Sequence, residues 1–366
     1  MNIARFSRAV AVLLTLAPSP AQQPPQDQAP ATFQSQARLV LLPFRVSRGK
    51  NYATDLAQSA VTLLEDGKPR EFTIFDTPTS QGRLPIEIVL LFDTNPKIEY
   101  MWDPQDVFRF IPQWSEDLSR AVLQRGKNNN PVEVRVSVYR CSGRTLYRSA
   151  PPTTDPHVLT SALQAVLQPA PVSPDPESEI ALTLPPQRNR VDPGPFTRDY
   201  VTSPFYSAAY RGWPMEAAIG LLNEVSAAQD RVARVLVMFS EGIGATTTIP
   251  EDAGNQALDL GIPIYPIATN YKHHISRILF KRNYFRMHEF EALGKMTGGR
   301  ASEYASIDAV TLRKILDGVI GDALAQYVAG FIPSSGEGAA RQHQLEIRLT
   351  PRSTGVVEGG KRRAVY

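Results

Sequence analysis

The chain has 366 residues, with 39 lysines and arginines against 36 aspartates and glutamates, a formal net charge of +3 and a hydrophobic fraction of 42%. That length suits one large or two ordinary domains, and the apolar fraction supports a sizeable core. Near-neutral charge excludes nucleic acid and an anionic membrane surface as expected partners, the more so because Arg5 and Arg8 lie in a segment expected to be removed.

Residues 1–21 read as a secretory signal peptide, with Arg5 and Arg8 as the basic start, an apolar run from Ala9 to Ala17 too short to span a bilayer, and Ser19-Pro20-Ala21 as the cleavage region. The expected location is therefore the periplasm or the cell exterior. Residues 22–33 form a linker rich in proline and glutamine that cannot bury a core. A β-rich block covers 34–77. Residues 37–46 read as a strand whose Pro43 points to an edge or a bulge. Residues 60–64 and 71–75 flank Glu65-Asp66-Gly67-Lys68, and Asp-Gly is a strong hairpin signal.

From about Leu84 the pattern alternates between strand and helix. Residues 86–93 are apolar at nearly every position, which suits a strand buried on both faces. Residues 103–125 repeat apolar side chains at helical spacing, among them Val107, Phe110, Ile111, Trp114, Leu118 and Val122. Residues 132–139 alternate strictly, predicting one core-facing side. A strand over 144–148 and a helix over 157–167 come next. Cys141 is the only cysteine, so no internal disulfide is possible; it reads as a semi-buried thiol or, more sharply, as the link of a disulfide-bonded dimer. Residues 169–205 carry nine prolines from Pro169 to Pro204 and read as an irregular insertion, either a floppy segment or a lid or partner contact. Then come a helix over 214–229 with proline in its first turn, a buried strand over 232–240, and a helix over 256–260 ending at Gly261. Residues 262–267 read as a strand in which Pro263 and Pro266 argue against regular pairing. A helix over 289–296, a strand over 300–304 and a helix over 308–324 complete the alternation, which predicts a mostly parallel, doubly wound sheet. Strand patterns return at 327–332, 344–350 and 361–366. Neither terminal β-block is large enough to stand alone, so residues 34–77 and 326–366 are expected to form one β-sandwich with an α/β domain over 84–325 inserted between them.

Ligands of parallel α/β sheets sit beyond the carboxyl ends of the strands, where the run Ile86–Phe92 ends in Asp93-Thr94-Asn95-Pro96-Lys97. This stretch resembles the first strand of a von Willebrand factor A domain, where Asp-x-Ser-x-Ser begins a metal-ion-dependent adhesion site. The likeness is partial. Asn95 and Lys97 replace the two serines, Ser240-Glu241-Gly242 stands where the family has Ser-Asp-Gly, and Trp213 stands where it has a threonine. The resemblance implies a doubly wound fold and a degenerate site holding Asp93, Asn95 and Glu241. Lys97 is its site-closing cation. No cofactor is expected; magnesium or manganese would bind weakly at most, because the ammonium competes with a metal that demands near-octahedral oxygen coordination. The order of blocks over 37–366 further resembles a group of exported von Willebrand factor A-related proteins named for Acidobacteria.

A second constellation is Lys272, Arg277, Lys281, Arg282 and Arg286, interleaved with Tyr271, Phe280, Tyr284 and Phe285. It reads as a surface for an acidic protein patch or as a solvated connection whose aromatics pack inward. Phe239-Ser240-Glu241-Gly242 lacks the leading glycine of a nucleophile elbow, and no zinc-protease, phosphate-loop or dinucleotide motif is present. The reading is a non-enzymatic binding or adhesion module for a protein or surface ligand with acidic groups, without nucleic acid and without a membrane span. The alternatives are an exported hydrolase using Asp93 and Glu241 as an acid–base pair, and a structural component of an envelope assembly.

Overall fold

The computed structural model describes residues 39–80, 83–94, 108–125, 132–142, 145–168, 179–181, 214–227, 232–240, 250–269, 283–304, 307–333 and 341–366. Every described strand and helix belongs to one unit, Arg38–Tyr366. The strands are β1 (Val40–Arg48), β2 (Asn51–Tyr52), β3 (Val61–Glu65), β4 (Lys68–Arg70), β5 (Ile74–Asp76), β6 (Ile86–Asp93), β7 (Val134–Ser142), β8 (Thr145–Thr153), β9 (Glu179–Ala181), β10 (Ala233–Ser240), β11 (Ile264–Thr269), β12 (Ser302–Tyr304), β13 (Tyr327–Phe331), β14 (Gln342–Leu349), β15 (Val356–Gly359) and β16 (Lys361–Val365). The helices, numbered in chain order, are α1 (Ile111–Arg125), α2 (Pro156–Gln164), α3 (Pro214–Ala227), α4 (Pro250–Leu260), α5 (Asn283–Thr297) and α6 (Ala309–Leu324).

The body of the molecule is a 7-stranded sheet in the order β12-β11-β10-β6-β7-β8-β9. Its strands are parallel from β12 to β7; β8 runs antiparallel to β7, and β9 antiparallel to β8. One face packs on α1, α2 and α6 through Ile88, Leu90, Phe92, Val136, Val138 and Val237. The other face packs on α3, α4 and α5 through Val89, Leu91, Tyr139, Leu236 and Met238. Helices on both faces explain why β6 is buried at every position and reads as an unbroken apolar run. β9 comes from inside the proline-rich insertion and adds a short outer strand along Thr145–Tyr147 of β8.

Two antiparallel sheets complete the unit and together make up a frame. One is 5-stranded, β15-β1-β13-β5 with β2 also on β1, and the other is 4-stranded, β16-β14-β3-β4. Each draws strands from both ends of the chain: β1 pairs with β13 and β15, and β3 with β14. Val40, Leu42, Phe44, Leu63, Tyr327, Leu345 and Ile347 share one core. The hairpin turn is Asp66-Gly67, with φ of 49 and 80 degrees, and the positive values at both central positions match the right-handed twist of the strands.

Several local readings change. The partner of β3 is Lys68–Arg70, and Ile74–Asp76 crosses to the other sheet to pair with β13. Pro43 lies inside a sheet, but β1 pairs only with β13 up to that point and meets β15 from Phe44 onward. The Pro43 carbonyl accepts from the Gly360 N–H, so the side lacking a proton is where the second ladder has yet to begin. β11 pairs regularly with β10 across Pro266, and its pairing with β12 starts only at Ile267. β7 is covered on both faces, not one, because its polar positions Ser137 and Tyr139 lie under α3. Trp114 is 43% exposed and does not belong to the buried face of α1. Cys141 is fully buried, so the disulfide-linked dimer is overturned: its thiol cannot reach a second chain in the folded state. Val107 lies outside the described residues.

The frame meets the body where its helices end. Arg45 donates to the carbonyl of Gly298 just past α5 at 2.7 Å. Arg83 donates to Leu324 and Gln326 at the end of α6, at 3.0 and 2.8 Å. Arg362 and Arg363 reach Asp259 in the last turn of α4, and Arg363 also the Asn255 carbonyl one turn earlier. A helix carboxyl end carries orphan carbonyls and the negative end of the dipole, and guanidinium groups answer both. Arg362 and Arg363 of the basic terminal run thus hold the end of α4, while Lys361 pairs with Glu346 on the neighbouring strand.

Within α6, a Cβ at Gly318 or Gly321 would meet nothing within 4 Å. Alanine at each position is expected to raise stability by about 0.5–1 kcal/mol, since glycine wastes backbone entropy in a helix. A guanidinium titration of the two variants checks this.

Candidate functional site

The sheet order places β6 beside β10 although β7 follows β6 in sequence, so the chain reverses its winding direction between β6 and β10. A crevice opens at such a switch point, beyond the carboxyl ends of the strands. Asp93 closes β6 and Ser240 closes β10. Asp93 is 1% exposed, Ser240 is fully buried, and Ser240 Oγ donates to Asp93 Oδ2 at 2.8 Å. Thr269 ends the next strand, β11, and is likewise buried. On the other side Thr94 donates through both its amide and its Oγ1 to the Cys141 carbonyl, at 3.0 and 2.9 Å, which fixes the chain as it leaves Asp93.

Helix α3 starts at this same pole with Pro214, a residue suited to the first turn because its missing N–H would have no helical partner. Glu216 lies in that first turn and is buried. A carboxylate there is favoured by the positive end of the helix. The pole therefore collects hydroxyls and carboxylates, while the frame occupies the opposite end of the body.

A different polar cluster lies at the amino ends of the same strands. Glu87 on β6 accepts from Ser137 of β7 and from Arg234 of β10, each at 2.8 Å. Tyr139 is pushed up to about 12, first by burial and then by the negative charge of Glu87.

Of the residues singled out from sequence, Asp93 lies where expected. Asn95, Lys97, Trp213 and Glu241 lie outside the described residues, as do Lys272, Arg277, Lys281 and Arg282. Arg286 falls within α5, in the part of that helix whose side chains are not described. Ser240 and Glu216 were missed. For Ser240 the signal was present, since it is the first polar residue after the apolar run Val235–Phe239. Glu216 gave none, because an acidic residue early in a helix is commonplace.

A divalent cation of the magnesium type requires near-octahedral oxygen coordination. Asp93 and Ser240 could contribute oxygens, but among the described residues no group of three or more His, Cys, Asp or Glu side chains could hold a metal ion. Asn95, Lys97 and Glu241, the other residues expected at this place, lie outside the described residues.

Fold and site together define a doubly wound α/β body with buried polar residues at its strand switch point. No protein-family model matches the chain, and no curated protein does. Among solved structures it is similar to proximal thread matrix protein 1 from the mussel byssus, described with a zinc-occupied MIDAS motif, at 13% identity and a TM-score of 0.38 over 68% of this chain and 47% of that one. It is also similar to the vWF domain of the type V pili tip protein Mfa5 from Porphyromonas gingivalis, at 9% identity and a TM-score of 0.36 over 66% of this chain and 95% of that one. A third is the pilus adhesin SpaC from Lactobacillus rhamnosus GG, at 8% identity and a TM-score of 0.42 over 88% of this chain and 47% of that one. The chain spans about half the length of the mussel protein, with 47% to 50% of it covered. No helix among the described residues is long and apolar enough to cross a membrane.

Proposed function

We propose that this protein is an exported, non-enzymatic binding module that takes its ligand at the carboxyl pole of the parallel sheet. The observation that carries the reading is the buried Asp93–Ser240 pair at the strand switch point. Asn95 and Glu241 would add oxygen donors at the same crevice, and Lys97 would supply a permanent positive charge in place of a metal. The ligand group is then an acidic side chain of a protein or surface partner. The segment holding Lys272, Arg277, Lys281, Arg282 and Arg286 would extend the same preference outward. The frame would act as a β-sandwich base (residues 34–77 and 326–366) that carries the α/β domain (84–325) and leaves its binding pole free.

Immobilised polyglutamate, with polylysine as the control surface, tests this on the full chain. Retention on polyglutamate is expected to survive a chelator and to weaken about tenfold in Lys97→Ser, the equivalent of one lost charge contact. Asp93→Ala, which removes the carboxylate that orients the crevice, is expected to weaken it as well. Unchanged retention in both variants would refute the reading.

A further inference from the structure

The central strand β6 carries Glu87 near its amino end and Asp93 at its carboxyl end. Both are buried, and both face α3, because side chains alternate along a strand. Arg234 is the direct register partner of Glu87 across the parallel ladder between β6 and β10. If that ladder is followed past Phe92 and Phe239, the next rung joins Asp93 to Ser240. The two polar contacts, Arg234 with Glu87 and Ser240 with Asp93, share the sequence offset of 147. Ser137 Oγ donates to the other oxygen of Glu87, so one carboxylate ties β10, β6 and β7 together.

Between these two contacts the facing rungs are apolar, and the last of them stacks Phe92 on its register partner Phe239 at 4.8 Å. β6 reads Ile88-Val89-Leu90-Leu91-Phe92, and β10 reads Val235-Leu236-Val237-Met238-Phe239. A slide by one residue would turn every side chain to the opposite face, which forbids it. A slide by two keeps the faces: over Ile88–Leu91 and Val235–Met238 it exchanges apolar side chains of similar volume, which packed cores tolerate at small cost, and it also parts the Phe92–Phe239 stack. That slide would bury the Glu87 carboxylate against an apolar side chain and carry Ser240 away from Asp93. A buried charge stripped of its partner is strongly unfavourable, so the ion pair discriminates more sharply than the apolar and aromatic rungs do.

We propose that Glu87, with Arg234 and Ser137, is the register key of the binding pole. It is a positioning group that selects the strand offset in which Ser240 Oγ reaches Asp93. Buried ion pairs give little stability over an apolar pair of equal shape, and their best-attested use is to specify register. The functional weight of the proposal rests on the reading of the carboxyl pole as the binding site, but the register itself is measurable without a ligand.

The test uses the full chain with methyl-labelled Ile, Leu and Val in two double variants, Glu87→Leu/Arg234→Leu and the charge-reversed Glu87→Arg/Arg234→Glu. The leucine variant is expected to melt close to the parent, yet to show second resonances for Val89, Leu91 and Leu236. Its Ser240 amide should exchange at least about tenfold faster. The charge-reversed variant is expected to show a single set. A single, parent-like set with unchanged Ser240 exchange in the leucine variant overturns the proposal, as does doubling in the charge-reversed variant. Failure of the leucine variant to fold overturns it too, since the pair would then be an element of stability rather than of register. Loss of polyglutamate binding plays no part in these readouts, so the two readings can fail separately.

Discussion

Replacing Arg45 with methionine is expected to lower the unfolding free energy by about 3–5 kcal/mol, read as a shifted guanidinium midpoint. Arg45 is 1% exposed and sits on β1 of the frame, yet every partner it reaches except Glu358 and Tyr52 belongs to the body. It pairs with Asp322 at 3.0 Å and with Glu358 at 3.2 Å. It also bonds the Tyr265 hydroxyl and the Gly298 carbonyl. Burial works against its charge, but Tyr265, Asp322, Tyr52 and Glu358 outweigh that and raise its pKa. Methionine keeps the aliphatic stem and deletes the charge, leaving Asp322 buried with only Arg300, a residue more than half exposed, to balance it. Tyr265→Phe removes one donor–acceptor contact from the same cluster and is expected to cost only about 1 kcal/mol. Equal midpoints for the Arg45 variant and the parent would show that the frame docks without this cluster.

Among the described glycines, Gly299→Ala should do the most damage, with a loss above about 4 kcal/mol or no folded protein at all. A Cβ on Gly299 would lie 1.8 Å from the Ile264 carbonyl oxygen and 2.6 Å from its carbon, both main-chain atoms at the start of β11. Main chain cannot turn aside as a flexible side chain can. The approach is also locked on both sides: the Gly299 amide donates to Gly294 at 2.8 Å, and the Ile264 amide donates to Thr297 Oγ1 at 2.9 Å. Gly298 next to it has φ of 83 degrees, and a Cβ there would stand 2.6 Å from the Gly359 Cα of the frame. Expression and circular dichroism of Gly299→Ala, beside Gly318→Ala as the harmless control, decide the matter. A folded Gly299→Ala protein of parental stability would contradict this account of the turn.

Much of the fold could be read from sequence because its rules are local. The unbroken apolar runs of β6 and β10 announce strands covered on both faces, and Asp66-Gly67 announces its hairpin. Asp155-Pro156 and Asp308 mark helix starts through side chains that accept from His157 and Thr311 amides. What was not legible depends on distant partners. β15, Val356–Gly359, is too short and too rich in glycine to signal itself, and it exists because β1 offers a free edge from Phe44 onward. Pro266 looked disruptive because a sequence does not reveal where a neighbouring ladder begins. Arg45, an arginine in an apolar strand, gives no sign in the sequence of the counter-charges that the body supplies. At the carboxyl pole of the parallel sheet Asp93 is legible from the abrupt end of its run, whereas Ser240 requires the register of two strands far apart in sequence.

Arg83 bears on how the protein comes to be folded at all. Its guanidinium holds Pro78 on the way into the body and Leu324 and Gln326 on the way out, so the chain leaves the frame and returns to it at one place. The frame strands β1 to β5 and β13 to β16 are separated by the whole length of the body, and closing so long a loop in an unfolded chain is slow as well as entropically costly. Once the body has folded, its own ends stand side by side, and the two halves of the frame meet as if joined by a short hairpin. The frame strands are then expected to zip onto an already closed loop, with the body folding first and the frame last.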